Sequence, residues 1–292
     1  MVKSQTSFRR VAIVGLGLLG GSWGLSLKRA GFTGRIVGYA RRAETRERAL
    51  KGGVVDAACA DVTQAVREAD LVILATPVAV ILDHLTRLPP HLSPQALVTD
   101  VGSTKRQICE RAAGLYAQQP LFLGGHPMAG KERSGLEQAD ARLFENTRYV
   151  LTPLKLEHLN DARVQAFNAL VAAVGAHALM IDPAIHDRAV AYLSHLPQLL
   201  SSGLASMIEE KCATETITLE LAASGFRDVS RLADSPYSVW RDICLTNTQN
   251  IQMALDTLIQ KLESIKMHLG DRELERDFLA ARRLRDKLRG MS

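Results

Sequence analysis

The run Gly15-Leu-Gly17-Leu-Leu-Gly20-Gly21, following directly on the apolar stretch Val11-Ala-Ile-Val14, constrains this chain more than any other feature. A strand that turns sharply on glycines into a helix makes a cradle for a pyrophosphate. The first glycine permits the turn and the second lets the backbone approach the phosphates. The third lets the helix pack on the strand, with its free N–H groups facing the anion. The stretch therefore predicts dinucleotide contacts from Gly15, Leu16, Gly17, Leu18, Leu19 and Gly20. Three spaced glycines alone are a weak signal. A second apolar run, Arg35 to Tyr39, strengthens it by arriving about 20 residues on, the length of a strand–helix–strand unit. The competing reading is a secretory leader opened by Arg9-Arg10. It conflicts with the glycines that interrupt the apolar stretch up to Leu27, with the missing small-residue cleavage site, and with the immediate return of a strand pattern.

The chain has 292 residues, 47% hydrophobic and 23% charged, which is enough for two cores in a globular protein. Outside the glycine region no stretch approaches the roughly 18 consecutive apolar residues of a membrane span, so no membrane partner is expected. Cys59, Cys109, Cys212 and Cys244 are too scattered for a zinc site or a disulfide framework, and read as reduced cytoplasmic thiols with no metal. The net charge of +5 comes from Lys and Arg interleaved with Asp and Glu, without the basic stripe that nucleic acid requires. Asp271 to Arg289 alternates sign with Leu274, Phe278, Leu284 and Leu288 at helical spacing, the pattern of a solvated terminal helix.

Residues up to about 180 alternate short apolar runs with amphipathic ones, the rhythm of an α/β, doubly wound, mostly parallel sheet. Strands are expected at 11–14, 35–39, 71–75, 97–100, 121–124, 149–152 and 176–181. Two of them end at Thr76-Pro77 and at Asp100-Val-Gly102-Ser103, and ligands of open α/β sheets bind beyond such carboxyl ends, so these loops are candidate site walls. After Asp182-Pro183 the spacing turns helical, over 185–211, 215–223 and 239–269. The chain divides on this reading into a dinucleotide-binding domain, 8–183, and a helical substrate and dimerisation domain, 184–292. The broad apolar faces of the latter call for a homodimer.

Among eight histidines, His126 stands apart, in Gly124-Gly125-His126-Pro127-Met128-Ala129-Gly130 just past a strand end. Small neighbours leave its imidazole accessible, and its ordinary titration range suits proton abstraction. A purely structural loop histidine is the alternative. Ser103 fits either a hydroxyl that orients the imidazole or a substrate oxygen, or a helix N-cap before Thr104-Lys105-Arg106. A further cluster comprises His186-Asp187, Ser194-His195-Leu196-Pro197-Gln198, and a loop with Arg227, Asp228 and Arg231. Arginine forks there match a carboxylate, and ion pairing with Asp228 or Asp234 is the competing use. His195, before a proline, equally fits a packing role.

These blocks, with Asp100-x-Gly-Ser-x-Lys105 and Gly225-Phe-Arg-Asp-x-x-Arg231 followed by Asp-Ser-Pro and Trp240-Arg-Asp242, carry a resemblance. In their order and spacing the chain resembles the prephenate/arogenate dehydrogenase family of tyrosine biosynthesis, over nearly its whole length. The resemblance implies oxidative decarboxylation of a cyclohexadienol. On that implication His126 takes the ring-hydroxyl proton while hydride leaves the same carbon for a nicotinamide, and loss of the ring carboxylate yields an aromatic ring. It also implies that Ser103 bonds the hydroxyl or the imidazole, that Arg231 holds a substrate carboxylate with Glu132 and Asp228 as its ionic partners, and that Trp240 reaches in from a neighbouring subunit. Gln198 departs from the histidine common in members that act on prephenate, and suits dual use or a lean toward arogenate. Lys131, where a small residue is common, is either a second carboxylate anchor or solvated.

The nucleotide's 2′ end is legible on physical grounds. Where a carboxylate for a ribose 2′-hydroxyl should close the second strand, Tyr39 is followed by Ala40-Arg41-Arg42. Two guanidiniums favour NADP, while Glu44 keeps NAD open. Two rivals remain: a β-hydroxyacid dehydrogenase, for which Lys211 is the nearest but poorly placed lysine, and a non-catalytic NADPH sensor. With the chain given to Ser292, no appended regulatory domain is expected.

Overall fold

The computed structural model describes residues 8–116, 120–131, 133–214 and 219–290. Eight strands form one sheet: β1 Arg10–Val14, β2 Arg35–Tyr39, β3 Ala57–Cys59, β4 Leu71–Leu74, β5 Leu97–Asp100, β6 Leu121–Pro127, β7 Arg148–Pro153 and β8 His177–Met180. Their order is β3-β2-β1-β4-β5-β6-β7-β8. The run β3 to β6 is parallel and doubly wound, reversing direction of travel between β1 and β4, where such sheets open a ligand crevice. β7 runs antiparallel to β6, and β8 parallel to β7.

Helices α1 Leu18–Arg29, α2 Ala43–Lys51, α3 Val62–Val66, α4 Val78–Arg87, α5 Arg106–Ala113 and α6 Ala162–Ala173 accompany this sheet. One face centres on Trp23 of α1, fully buried against Phe144, Tyr149 and Phe167 with ring centroids 5.3, 5.7 and 5.8 Å away. Truncating such an aromatic costs about 3–5 kcal/mol, so this cluster fixes α1, and with it the glycine turn, on the sheet. The opposite face packs Ile81, Leu85, Ile108 and Tyr116 of the α4–α5 layer on Val72, Leu74 and Val98.

Helices then take over: α7 Pro183–Val190, α8 Leu196–Thr214, α9 Ser224–Ser230, α10 Tyr237–Thr246, α11 Thr248–Met267 and α12 Glu273–Arg289. A π turn, Ala191–His195, joins α7 to α8, with the Leu196 N–H bonded to the Ala191 carbonyl. Pro197 has no N–H to give to the regular ladder here, and such wide turns gather at functional sites.

Three sequence expectations are corrected. β3 was not foreseen, because Ala57-Ala-Cys59 lacks the β-branched residues that mark strands. The expected helix over 215–223 reduces to a 3-10 turn at Leu219–Leu221, with 215–218 outside the described residues. The supposed loop around Arg227 is helical, α9 running on into a 3-10 turn at Arg231–Asp234.

Candidate active site

At the β1–α1 turn each glycine has a separable task. Gly15 adopts φ +106°, and a Cβ there would lie 2.6 Å from the Ala75 carbonyl oxygen. At Gly20 a Cβ would meet the Gly15 carbonyl oxygen at 1.9 Å, so both residues serve the tight turn. Gly17 caps α1 without a side-chain hydrogen bond, and a Cβ there would meet nothing within 4 Å. Backbone donors at the N-terminus of a twelve-residue helix thus face open space of the kind an anion fills. Leu16 is buried, and its side chain packs beneath Gly38 rather than lining the cleft.

That space belongs to a cleft of about 420 Å³ lined by Gly17, Leu18, Leu19, Thr76, Pro77 and Gly102, as expected from strand ends, and by Ser103. Lys131 of the β6–β7 connection, and Pro236 and Asp242 beside and in α10, close it. At the β2 end, Ala40 is buried while Arg41 and Arg42 are exposed. A third guanidinium, from Arg46, donates to the carbonyls of Ala40 and Arg41 at 2.8 Å each, a contribution no motif announced.

Beyond the carboxyl end of β5 the site is made by side chains. His126, half-buried on β6, has its Nδ1 2.9 Å from Nε2 of the buried His186. His186 Nδ1 is 2.7 Å from Asp187 Oδ1, and Asp187 accepts the backbone N–H groups of Lys105 at 2.7 Å and Arg106 at 3.0 Å. Lys105 and Asp100, both fully buried, form an ion pair, and Lys105 Nζ also donates to the Gly125 carbonyl at 2.7 Å beside His126. Asp100 in turn accepts the N–H groups of Gly102 at 2.7 Å and Gly125 at 3.1 Å. Burial, helped by the nearby His186, Lys105 and His195, holds His126 well below the ordinary imidazole range, so it is neutral and able to accept a proton.

The helical part therefore docks on the nucleotide part through two carboxylates set on helix N-termini. Asp187 caps α5, and Asp242 accepts the Ala79 N–H of α4 at 3.0 Å. Asn247 braces the junction, donating to the Asp187 carbonyl at 2.8 Å and standing 3.2 Å from His195 Nδ1. His195 is buried and pushed down to about 4 by desolvation, partly offset by Asp187. Neither Asn247 nor the partnership of His186 with His126 could be read from spacing, since 60 residues separate the two histidines.

The structure revises several expected roles. Ser103 is not the N-cap of α5: Lys105 holds that position and Asp187 supplies the cap. The partner of His126 Nδ1 is His186 rather than Ser103, which stands on the cleft wall. Gln198 uses both amide hydrogens within the protein, on Ser202 Oγ at 3.1 Å and the Leu232 carbonyl at 2.7 Å, so only its oxygen could meet a substrate. Lys131 is tied into its own loop, 3.0 Å from the Gln138 carbonyl and 3.4 Å from Asp140. Within its own chain Trp240 packs edge-on against His195, 5.9 Å between centroids. Arg231 and Asp228 are exposed on the α9 segment, and Glu132 lies outside the described residues.

A doubly wound sheet with a glycine-lined helix N-terminus, and a neutral, half-buried histidine on β6, fit a nucleotide-dependent dehydrogenase. Family models agree: residues 23–180 match the nucleotide-binding domain of prephenate dehydrogenase, and residues 182–282 its dimerization domain. The chain is 34% identical to a prephenate dehydrogenase of Bacillus subtilis, over 95% of this chain and 76% of that protein. Among solved structures, prephenate dehydrogenase from A. aeolicus in complex with hydroxyphenyl propionate and NAD+ superposes with a TM-score of 0.85 at 29% identity, covering 98% of this chain and 99% of the other. Synechocystis arogenate dehydrogenase gives 0.79 at 34% identity, covering 96% and 99%. The chain belongs to the prephenate dehydrogenase family and is an oxidoreductase.

Proposed function

We propose that the protein oxidatively decarboxylates prephenate, arogenate or both, in tyrosine biosynthesis, with His126 as general base. Family membership across the chain supports the reaction, and the neutral, half-buried His126 on β6, paired with His186, supports the role. The nicotinamide supplies the hydride acceptor when bound. The chain's own work is to take the ring-hydroxyl proton on His126 as the carbon–hydrogen pair leaves as hydride. The ring carboxylate then departs as carbon dioxide, its bonding electrons completing the aromatic ring. Positioning and charge stabilisation suffice for such a reaction. Arg231 grips a substrate carboxylate, with Ser103, His195 and the Gln198 oxygen as further polar contacts.

We assign NADP as the preferred cofactor on the strength of Arg41, Arg42 and Arg46 at the β2 end, with NAD as the alternative. Residues 8–183 bind the nucleotide. Residues 184–292 complete the site and pair with a second copy, for which Leu200, Met207, Met253, Ile259 and Leu262 of α8 and α11 offer exposed apolar surface. The enzyme acts in the cytoplasm; among the described residues no helix is long and apolar enough to cross a membrane.

Initial rates with prephenate and with arogenate, each with NAD and NADP, test this. Carbon dioxide release with new phenolic absorbance is expected, fastest with NADP. Cofactor binding without turnover of either substrate would favour the sensor reading, and higher kcat/KM with NAD would overturn the cofactor assignment.

A further inference from the structure

Resting on the base assignment just made, the geometry points to His186 and Asp187 as a positioning relay that fixes which nitrogen of His126 takes the proton. The argument is one of donors and acceptors. Asp187 Oδ1 receives the Lys105 N–H at 2.7 Å and Oδ2 the Arg106 N–H at 3.0 Å, so this side chain serves as a carboxylate acceptor on both oxygens. The atom 2.7 Å from Oδ1, His186 Nδ1, must then carry the hydrogen. A neutral imidazole with a protonated Nδ1 has an acceptor at Nε2. With His186 uncharged, as the relay requires, its Nε2, 2.9 Å from His126 Nδ1, accepts, and His126 Nδ1 donates. What remains on His126 is the Nε2 lone pair, the only ring atom left to receive a substrate proton.

The relay is rigid by construction. His186 and Asp187 are both buried, Asp187 sits on the N-terminus of α5, and Asn247 holds the Asp187 carbonyl at 2.8 Å. When His126 gains a proton its positive charge meets a hydrogen-bond acceptor at Nδ1, backed by a carboxylate one ring further away. Of the three neighbours that oppose that charge, His186 is itself the acceptor in the relay, and Lys105 and His195 lie outside it. Lys105 has its own carboxylate in Asp100, so the Asp187 pair is the compensation available on the His126 Nδ1 side. Asparagine at 187 would break the logic. An amide cannot accept from Lys105, Arg106 and His186 together, and an NH2 facing His186 drives its proton to Nε2 and that of His126 to the substrate side.

The test is ring 15N NMR of the holoenzyme labelled in histidine, joined to kinetics. In the unsubstituted enzyme His126 should show pyrrole-type Nδ1 and pyridine-type Nε2. Finding the reverse tautomer overturns the relay even if His126→Asn shows that His126 is the base. Asp187→Asn should mix or invert the tautomer and lower kcat about 10²- to 10⁴-fold, the scale on which a misoriented base fails. NADP(H) binding and KM should change little. His186→Gln, whose amide oxygen can still accept from His126 Nδ1, should retain at least about tenfold more kcat than His186→Leu. Equal loss in the two His186 variants, or an Asp187→Asn enzyme with kcat within about threefold and an unchanged tautomer, overturns the proposal. Undiminished turnover in His126→Asn instead removes the base assignment itself, whatever the tautomer.

Discussion

The two parts of the proposed site are built from different materials. The nucleotide end is backbone: a turn on Gly15, the open N-terminus of α1 at Gly17, and the close contact at Gly20. The proposed proton-handling part is side chain: His126, His186, Asp187, Asn247 and the Lys105–Asp100 pair, gathered from β5, the start of α5, β6, α7 and the start of α11. Backbone sites tolerate most side-chain changes but not a Cβ in the wrong place. Side-chain sites fail one donor or acceptor at a time.

The largest expected effect falls on the proton end. His126→Asn should cut turnover about 10²- to 10⁴-fold with NADP affinity intact, measured by steady-state rates and cofactor titration. Next comes the glycine pair, which separates folding from binding. Gly20→Ala forces a 1.9 Å contact with backbone and should cost about 3 kcal/mol or more, read as a fall in the denaturation midpoint. Gly17→Ala has room and should cost no more than about 1 kcal/mol, yet weaken the cofactor about 10- to 100-fold by filling the phosphate approach. Equal destabilisation of both variants would refute the division of labour.

Arg231→Ala should raise the substrate KM by about 10- to 100-fold, the value of a charge-assisted carboxylate contact, and leave cofactor binding alone. A KM and kcat/KM both unchanged would count against the clamp. Replacing Arg41 and Arg42 together with Ala should narrow the NADP-to-NAD ratio of kcat/KM by about tenfold, since each exposed guanidinium contributes modestly. The smallest effect is on pH. On the proposed base role, neutral His126 is the working form, and protonation silences it. Because burial and cationic-capable neighbours depress it, kcat/KM should stay level as pH falls through 6.5 and decline only at more acid values. An acid limb at or above 6.5 would show that the histidine is not desolvated in solution.

Legibility followed the same division. Val11–Val14 with its glycines announced strand, turn and helix because these are local, set by sterics within a few residues. His126 could be singled out from its small neighbours and strand-end position. Its partner could not, for His186 lies 60 residues on and reaches it only when α7 docks on the N-terminus of α5. The choice left open for Ser103, cap or site hydroxyl, could not be made locally for the same reason: the cap comes from Asp187, 82 residues away. The contact of Trp240 with His195 of its own chain is likewise a matter of how α10 packs, which no spacing encodes.

By itself, then, the sequence determined the doubly wound sheet, the helical half that follows, the glycine cradle and the identity of the histidine at the end of β6. Each of these follows from short-range sterics and apolar periodicity. Tertiary structure alone decided which donor meets which acceptor. A hydrogen bond depends on distances of a few tenths of an ångström between groups from separate elements, and only the packing of α7, α10 and α11 on the sheet sets those distances.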